Sequence, residues 1–182
     1  HLNQSLAVAG LIRKARGTQG ALPEDTEIAV VDARFRSGAA NILMAVCGNS
    51  SSWRCHGCMR CAKLCLTEDS YRKAVGARCD FVVSCGSSLA PLNVLLAREN
   101  SAKNIVIMKP WNIGLDKFRL AVIPRHDRPG SAGNIVATDI APSLMDAGKI
   151  RSDGEALAAR AGISGSGKFI GVLIGGDSHH YV

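Results

Sequence analysis

The chain has 182 residues, of which 47% are hydrophobic and 20% are charged, a composition typical of globular proteins and not of disordered ones. No apolar run approaches the roughly 20 residues that a membrane-spanning helix needs, so we expect no transmembrane segment. The net charge of +7 favours phosphates or acidic surfaces as partners. Nucleic acid is disfavoured, because the cations form no long run and aromatic residues make up only 4% of the chain.

The seven cysteines are an odd number in a chain that shows no secretory signal. In a chain of this length, which can bury a sizeable core, they predict reduced thiols or metal ligands and not a disulfide framework. We therefore expect a cytoplasmic protein of one domain with a short extension.

The first half of the chain predicts three helices and one strand. Apolar residues recur at helical spacing over residues 2–16, and Gly17 is expected to end that helix. Residues 27–32 form a short apolar run that we interpret as a buried parallel strand. Residues 39–46 predict a second helix, and a third begins with Thr67 as its cap and acidic residues in its first turn.

The second half of the chain alternates strands and helices. Residues 80–86 are the clearest strand, and a glycine turn leads into a helix over residues 88–98, where Pro91 fits in the first turn. A helix is predicted over residues 155–161, and further strands at residues 104–108, 120–123, 134–138 and 168–175. Strands separated by helices or loops indicate an α/β fold with a doubly wound, mostly parallel, Rossmann-like sheet.

A small, polar segment at residues 163–167 predicts a linker between two domains. We expect a Rossmann-like N-terminal domain over residues 1–162, and the first strand and glycine loop of a truncated second domain over residues 168–182. The glycines before Lys168 resemble a Walker phosphate loop only superficially. Phe169 and a strand follow this lysine, where a Walker loop needs Ser or Thr and a helix, so we reject that motif.

Ligands of open α/β sheets bind beyond the carboxyl ends of the strands, so the segments after the predicted strands are the candidate sites. Ser87 and Ser88 could bind a phosphate at a helix N-terminus, or simply cap that helix. Arg125, His126 and Asp127 could recognise an anion or perform acid–base chemistry, and the alternative is a solvated loop with a local Asp–Arg pair. The loop after the last predicted strand adds Gly175, Gly176 and Ser178.

Four cysteines have the spacing Cys-x-x-Cys-x-x-Cys-x-x-x-Cys, namely Cys55, Cys58, Cys61 and Cys65. Bacterial ferredoxins use this spacing for a 4Fe-4S cluster, but proline follows their fourth cysteine, whereas Leu66 follows it here. Zinc is a second candidate for the metal that these cysteines would bind. The spacing also places all four thiols on one stripe of a helix, where buried cysteine packs as a small apolar residue. The pattern leaves these three interpretations open.

Five stretches of the chain carry a resemblance to a known family, namely residues 1–6, 80–93, 107–110, 118–127 and 172–181. They resemble, in the same order, the mitochondrial-fission "elongated mitochondria" proteins of plants and their bacterial relatives. The resemblance runs almost from end to end. The four-cysteine run is not a feature that we associate with the family, in which this stretch is an ordinary helix.

The family is similar to GT-B glycosyltransferases, which have two Rossmann-like domains with a cleft between them. The resemblance implies that this chain is the N-terminal half of such an architecture. It would bind a nucleotide-sugar or another phosphorylated ligand in the interdomain cleft, with glycosyl transfer as the candidate reaction. His126 would act as the base beside Asp127, and Arg125 would clamp an anion. The other ligand-binding residues that it implies are His1, Ser87, Ser88, Lys109, Gly175, Gly176 and Ser178.

Two other functions stay open at this point. The role of the plant relatives in recruiting fission machinery implies a non-enzymatic protein that binds a protein partner. The cysteine run, by itself, supports a redox domain that carries an iron–sulfur cluster.

Overall fold

A computed structural model describes residues 2–20, 22, 25–52, 56 and 58–163. The chain forms two compact units, His1–Leu144 and Met145–Val182. The described helices of the first unit are α1 (Leu2–Thr18), α2 (Gly38–Ser50), α3 (Arg60–Cys65), α4 (Glu68–Gly76) and α5 (Ala90–Glu99). Its strands are β1 (Phe81–Cys85), β2 (Lys103–Ile107), β3 (Leu120–Pro124) and β4 (Ile135–Thr138). The second unit contains α6 (Ala147–Arg160).

The sheet of the first unit is all parallel, with its strands in the order β1-β2-β3-β4. Val83 pairs with Ile105, which pairs in turn with Leu120, and Ala121 pairs with Ile135. β2 and β3 are apolar runs that are buried over most of their length, as parallel strands covered on both faces usually are. The strands predicted at residues 80–86, 104–108, 120–123 and 134–138 are confirmed.

Alternate residues of each strand point to opposite sides of the sheet, so apolar strands give it two apolar faces. Both faces are covered by other elements of the first unit. On one face, α1 contributes to a cluster of the buried residues Val8, Cys85, Ile105, Ile107 and Val122. On the other face, α5 and the β2–β3 connection contribute to a cluster of Ala90, Val94, Val106, Ile113, Phe118, Ala121 and Ile123. The all-parallel sheet between helices confirms the prediction of a Rossmann-like α/β fold. The described strands follow one another in chain order without the reversal that defines a doubly wound sheet, so that part of the prediction is not confirmed.

A third cluster joins α2, α3 and α5, and it holds α2 beside the start of α5. Met44 of α2 is fully buried in this cluster with Cys65 and Leu66. Gly48 allows the close approach of the two helices, since a Cβ at this position would lie 2.9 Å from the Pro91 Cβ. The carboxyl-terminal half of α2 therefore lies against the turn that leads into α5.

The predicted buried strand at residues 27–32 is wrong. This segment has no regular secondary structure, and the Val30 side chain is 59% exposed. The backbone at the end of this segment is bound by α4 instead of by a strand. Ser70 Oγ donates to the Asp32 carbonyl oxygen and accepts from the Arg34 N–H. Hydrogen bonds to Ser70 of α4 thus take the place of the pairing with a neighbouring strand that we predicted. A short apolar run does not by itself specify which element it packs against.

Several predicted helices differ from the structure at their ends. The first helix continues past Gly17 to Thr18, and the predicted helix over residues 155–161 begins earlier, where the Asp146 carboxylate accepts from the Lys149 N–H. Thr67 occupies the position before α4 as predicted, but its hydroxyl donates to Ser70 Oγ and accepts from no backbone N–H of the helix.

The predicted linker and the predicted strand of a second domain lie outside the described residues, except for Ile163. The domain boundaries and the GT-B-like architecture therefore stay predictions. Within the part of the chain that the structure describes, no helix combines the length and the apolar character needed to cross a bilayer.

Candidate functional site

The loops that follow β1, β2 and β3 lie at one edge of the sheet, because parallel strands all end on the same side. Gly86, which follows β1, has a positive φ of 82° and donates its N–H to the Ile107 carbonyl oxygen at 3.0 Å. This backbone conformation favours glycine and turns the chain from β1 toward α5. Met108, which follows β2, likewise donates its N–H to Val122 of β3. Backbone hydrogen bonds between the strands thus continue into the first residue of the β1 and β2 loops, and they fix where these loops begin.

Ser87 and Ser88 lie in the turn between β1 and α5, as predicted. Neither caps the helix with its side chain, since Leu89 occupies the N-cap position and no side chain accepts from the first turn. Ser87 Oγ instead accepts a hydrogen bond from the Trp111 N–H at 3.2 Å. Ser88 is exposed. The two hydroxyls therefore face the β2 loop and solvent, where a ligand could reach them.

Lys109 and the turn Arg125–Asp127 come together across β2 and β3. The Lys109 Nζ donates to the Arg128 carbonyl oxygen at 3.2 Å, which places the ammonium group beside this turn. The His126 Nε2 lies 3.5 Å from the Asp127 carboxylate, and this pair carries opposite charges only when the histidine is protonated. The structure thus gathers cations from two loops at the carboxyl edge.

Arg125 is already paired in the structure. Its Nε donates to the Asp139 carboxylate at 2.7 Å, and both side chains are exposed. The alternative interpretation of the sequence was a local Asp–Arg pair in this loop, and neither interpretation included Asp139. The available signal was its position, because Asp139 directly follows β4 and so lies at the same edge of the sheet as Arg125.

A groove of about 460 Å³ opens beside these loops, a size typical of small-molecule sites. Ser87, Ser88, Trp111 and Asn112 form one side of it, and α2 forms the other side with Asn41, Ile42, Val46 and Asn49 among its lining residues. Sequence reasoning did not include α2 in the site. A clue was present, since α2 is apolar on most of its surface although it covers only part of the core.

Four predicted ligand-binding residues cannot be placed at this edge. His1, Gly175, Gly176 and Ser178 lie outside the described residues. Their proposed roles therefore stay predictions, and the site consists of the loops after β1, β2 and β3 together with α2.

The cysteine run is only partly described, because Cys55 lies outside the described residues. α3 begins at Arg60, so Cys58 precedes the helix and is exposed, and the predicted helical stripe does not extend over it. Cys65 is fully buried with Leu66 and Met44, and Cys61 packs against the same cluster. Among the described residues, no three side chains of His, Cys, Asp or Glu come together as metal ligands.

Burial also changes the acidity of the thiols. The pKa of Cys65 lies above its ordinary value of 9.0, chiefly because burial disfavours the thiolate and also because Cys61 is close. Burial similarly raises the pKa of Cys85, whose Sγ donates to Gln4 Oε1 at 2.8 Å. Buried thiols of raised pKa are poor nucleophiles, so neither is suited to covalent catalysis.

The sequence of the chain matches one known protein family over nearly its whole length. A family model described as Mitochondrial fission ELM1 matches residues 2–182. The chain belongs to this family. The resemblance noted in the sequence is therefore confirmed, and every loop at the carboxyl edge lies within the part that matches the Mitochondrial fission ELM1 family. The chain matches no curated protein and no solved structure.

Proposed function

We propose that this member of the Mitochondrial fission ELM1 family binds a phosphorylated ligand, in particular a nucleotide-sugar, at the carboxyl edge of its sheet. One observation carries the proposal. Lys109, Arg125 and the Ser87–Ser88 turn lie after three neighbouring parallel strands, at the edge where open α/β sheets bind ligands. The GT-B-like architecture and a cytoplasmic location stay parts of this proposal.

The charges at this edge support phosphate as the recognised group. The Lys109 ammonium group and the Arg125 guanidinium group are both exposed, and hydrogen bonds from cations to phosphate oxygens are among the strongest that proteins make. No side chain caps the N-terminus of α5, and the N-termini of helices favour anions. A phosphate would replace the Asp139 carboxylate as the partner of Arg125.

Titration calorimetry with UDP-glucose, UDP and inorganic phosphate tests this proposal. We expect Arg125→Ala and Lys109→Ala each to weaken UDP binding at least about tenfold, since each removes one charge-assisted hydrogen bond. Lys73→Ala is the matched control, because it also removes one positive charge but from an exposed ion pair with Asp69 on α4. Equal affinities in all three variants, or no binding by the unaltered chain, would refute a phosphate site here.

Glycosyl transfer is the reaction that we propose for this site. His126 would take the proton from an acceptor hydroxyl, and the hydroxyl oxygen would form a bond to the anomeric carbon of the sugar. The bond from that carbon to the nucleoside diphosphate would break, and the diphosphate would leave with the electron pair. Asp127 would stabilise the imidazolium of His126. His126→Ala should abolish UDP release from UDP-glucose in the presence of sugar acceptors while UDP-glucose binding is retained.

A protein-binding role is the second candidate. The family description names mitochondrial fission, and the first unit exposes the apolar side chains of Ile42, Val46 and Trp111. Such side chains are typical of surfaces that bind proteins. A chain that binds none of the three phosphorylated probes but co-purifies with one protein, and loses it in Ile42→Asp, would favour this candidate.

An iron–sulfur cluster on the cysteine run is a third proposal. Metal and sulfide analysis of anaerobically purified protein, with an absorption spectrum, tests it. Iron and sulfide that disappear in Cys58→Ser and Cys61→Ser would support the cluster. Their absence from the unaltered protein would leave Cys61 and Cys65 as packing residues.

A further inference from the structure

The groove beside the carboxyl edge differs in character from the loops around it. Among the described residues that line it, none carries a formal charge, and Ile42, Ala45 and Val46 give it an apolar wall. A phosphate group would lose its hydration against such a wall without gaining a cation. The groove is therefore suited to an uncharged part of a ligand, next to the loops that suit a charged part.

Trp111 presents a free aromatic surface at the mouth of this groove. Its side chain is 85% exposed, although tryptophan is buried in most proteins. Its backbone is nevertheless held in place, because its N–H donates to Ser87 Oγ and the next carbonyl, that of Asn112, accepts from Asn49 Nδ2 at 2.8 Å. Asn49 Oδ1 accepts in turn from the Gly114 N–H. An exposed indole on a fixed backbone is suited to stack on a flat ring.

These features together match one chemical group. We propose that the groove binds the nucleobase of the phosphorylated ligand, stacked on Trp111 beside the apolar wall that α2 provides. A sugar ring fits less well, because its several hydroxyls would need more polar partners than the apolar wall offers. The phosphates would then extend toward Lys109, which is two residues from Trp111 and so within about 7 Å along the chain. This proposal rests on the phosphate site proposed above, and it adds that the groove makes the site specific for nucleotides over other phosphorylated ligands.

Fluorescence titration of the full chain tests the proposal. The chain has two tryptophans, so a Trp53→Phe variant leaves Trp111 as the reporter. We expect uridine and UDP to quench its emission saturably, since a stacked base contacts the indole directly, whereas inorganic phosphate and N-acetylglucosamine should not. Quenching by N-acetylglucosamine and not by uridine would overturn the proposal.

Substitutions separate the base subsite from the phosphate site. Trp111→Ala in the unaltered background should weaken UDP binding about tenfold, as measured by calorimetry, and leave the affinity for inorganic phosphate unchanged. Arg125→Ala should do the reverse, weakening phosphate binding while uridine binding is kept. Because the Trp111 side chain is so exposed, its removal should leave the melting temperature unchanged.

The two proposals fail in distinguishable ways. If Trp111→Ala binds UDP as tightly as the unaltered chain, the base subsite is refuted and the phosphate site stands. If the unaltered chain binds neither UDP nor phosphate, both proposals fall. Trp111→Phe should retain part of the UDP affinity, because the smaller ring still stacks, and a Phe variant as weak as the Ala variant would argue against stacking.

Discussion

Asn93 of α5 donates a hydrogen bond from its Nδ2 to Ser84 Oγ of β1 at 2.9 Å, in a fully enclosed position. The same nitrogen lies 2.9 Å from the Ile105 carbonyl oxygen of β2 and 3.3 Å from that of Val82. One side chain therefore fastens α5 to two neighbouring strands. Since the turn with Ser87 and Ser88 leads directly into α5, this contact also helps to place the proposed phosphate site.

Asn93→Leu should lower the free energy of unfolding by about 2–4 kcal/mol, because the Ser84 hydroxyl and two strand carbonyls would lose a buried donor. Urea unfolding followed by circular dichroism measures the change. Asn100→Ala is the control, since the Asn100 side chain also donates to a carbonyl oxygen, that of Leu96, but is only half-buried. A loss in Asn93→Leu no larger than in Asn100→Ala would contradict the role of Asn93.

The packing of α2 against α5 predicts opposite effects for two glycine substitutions. Gly48→Ala should destabilise the chain by about 1–2 kcal/mol, because the new Cβ would lie 2.9 Å from the Pro91 Cβ, on a rigid ring. Gly10→Ala in α1 meets no atom within 4 Å, so the higher helix propensity of alanine should stabilise the chain by about 0.5–1 kcal/mol. Melting temperatures that moved in the same direction for both variants would show that α2 and α5 are not packed as described.

The ion pair between Arg125 and Asp139 predicts competition with anions. Asp139→Asn removes the carboxylate that occupies Arg125, so we expect UDP to bind a few times more tightly, as measured by calorimetry. Stability should change by less than about 1 kcal/mol, because exposed ion pairs contribute little. Asp153→Asn, which breaks the exposed pair with Lys149 on α6, is the control for net charge. Tighter binding in both variants would indicate a general effect of charge.

The thiols should react with iodoacetamide at very different rates in the native protein. Cys58 is exposed and should be alkylated first, whereas burial and a raised pKa protect Cys65 and Cys85. Mass spectrometry of samples taken over time at about pH 8 gives the order. Rapid labelling of Cys65 in folded protein would mean that α3 does not hold it in the core.

The same raised pKa values predict how stability depends on pH. A thiol whose pKa is higher in the folded chain keeps its proton there after it has lost it in the unfolded chain. The contribution of Cys65 to stability is therefore complete below the ordinary thiol pKa of 9.0 and is lost as the pH rises through the folded value. Unfolding by urea at a series of pH values above 9.0 should show this decline, and Cys65→Ala should make it shallower.

The sequence predicts the sheet better than it predicts the site. β1 to β4 are mostly apolar runs bounded by polar or glycine residues, a pattern typical of buried parallel strands. Residues 27–32 have a similar composition, yet Ser70 binds their backbone at Asp32 and they form no strand. The groove was not predicted, because it lies between α2 and Trp111. These are more than 60 residues apart in the chain, and no local pattern shows that they come together.

Local sequence was sufficient to locate the four strands and the loops with Ser87 and Arg125, since short apolar runs bounded by polar residues are a local signal and the helices or long loops between them imply parallel strands. The partner of Arg125, the burial of Cys65 and the groove between α2 and Trp111 depended on tertiary packing. Each of them joins segments that are distant in the chain, and the close approach that joins them, such as that of Gly48 to Pro91, depends on how side chains fill the space between elements.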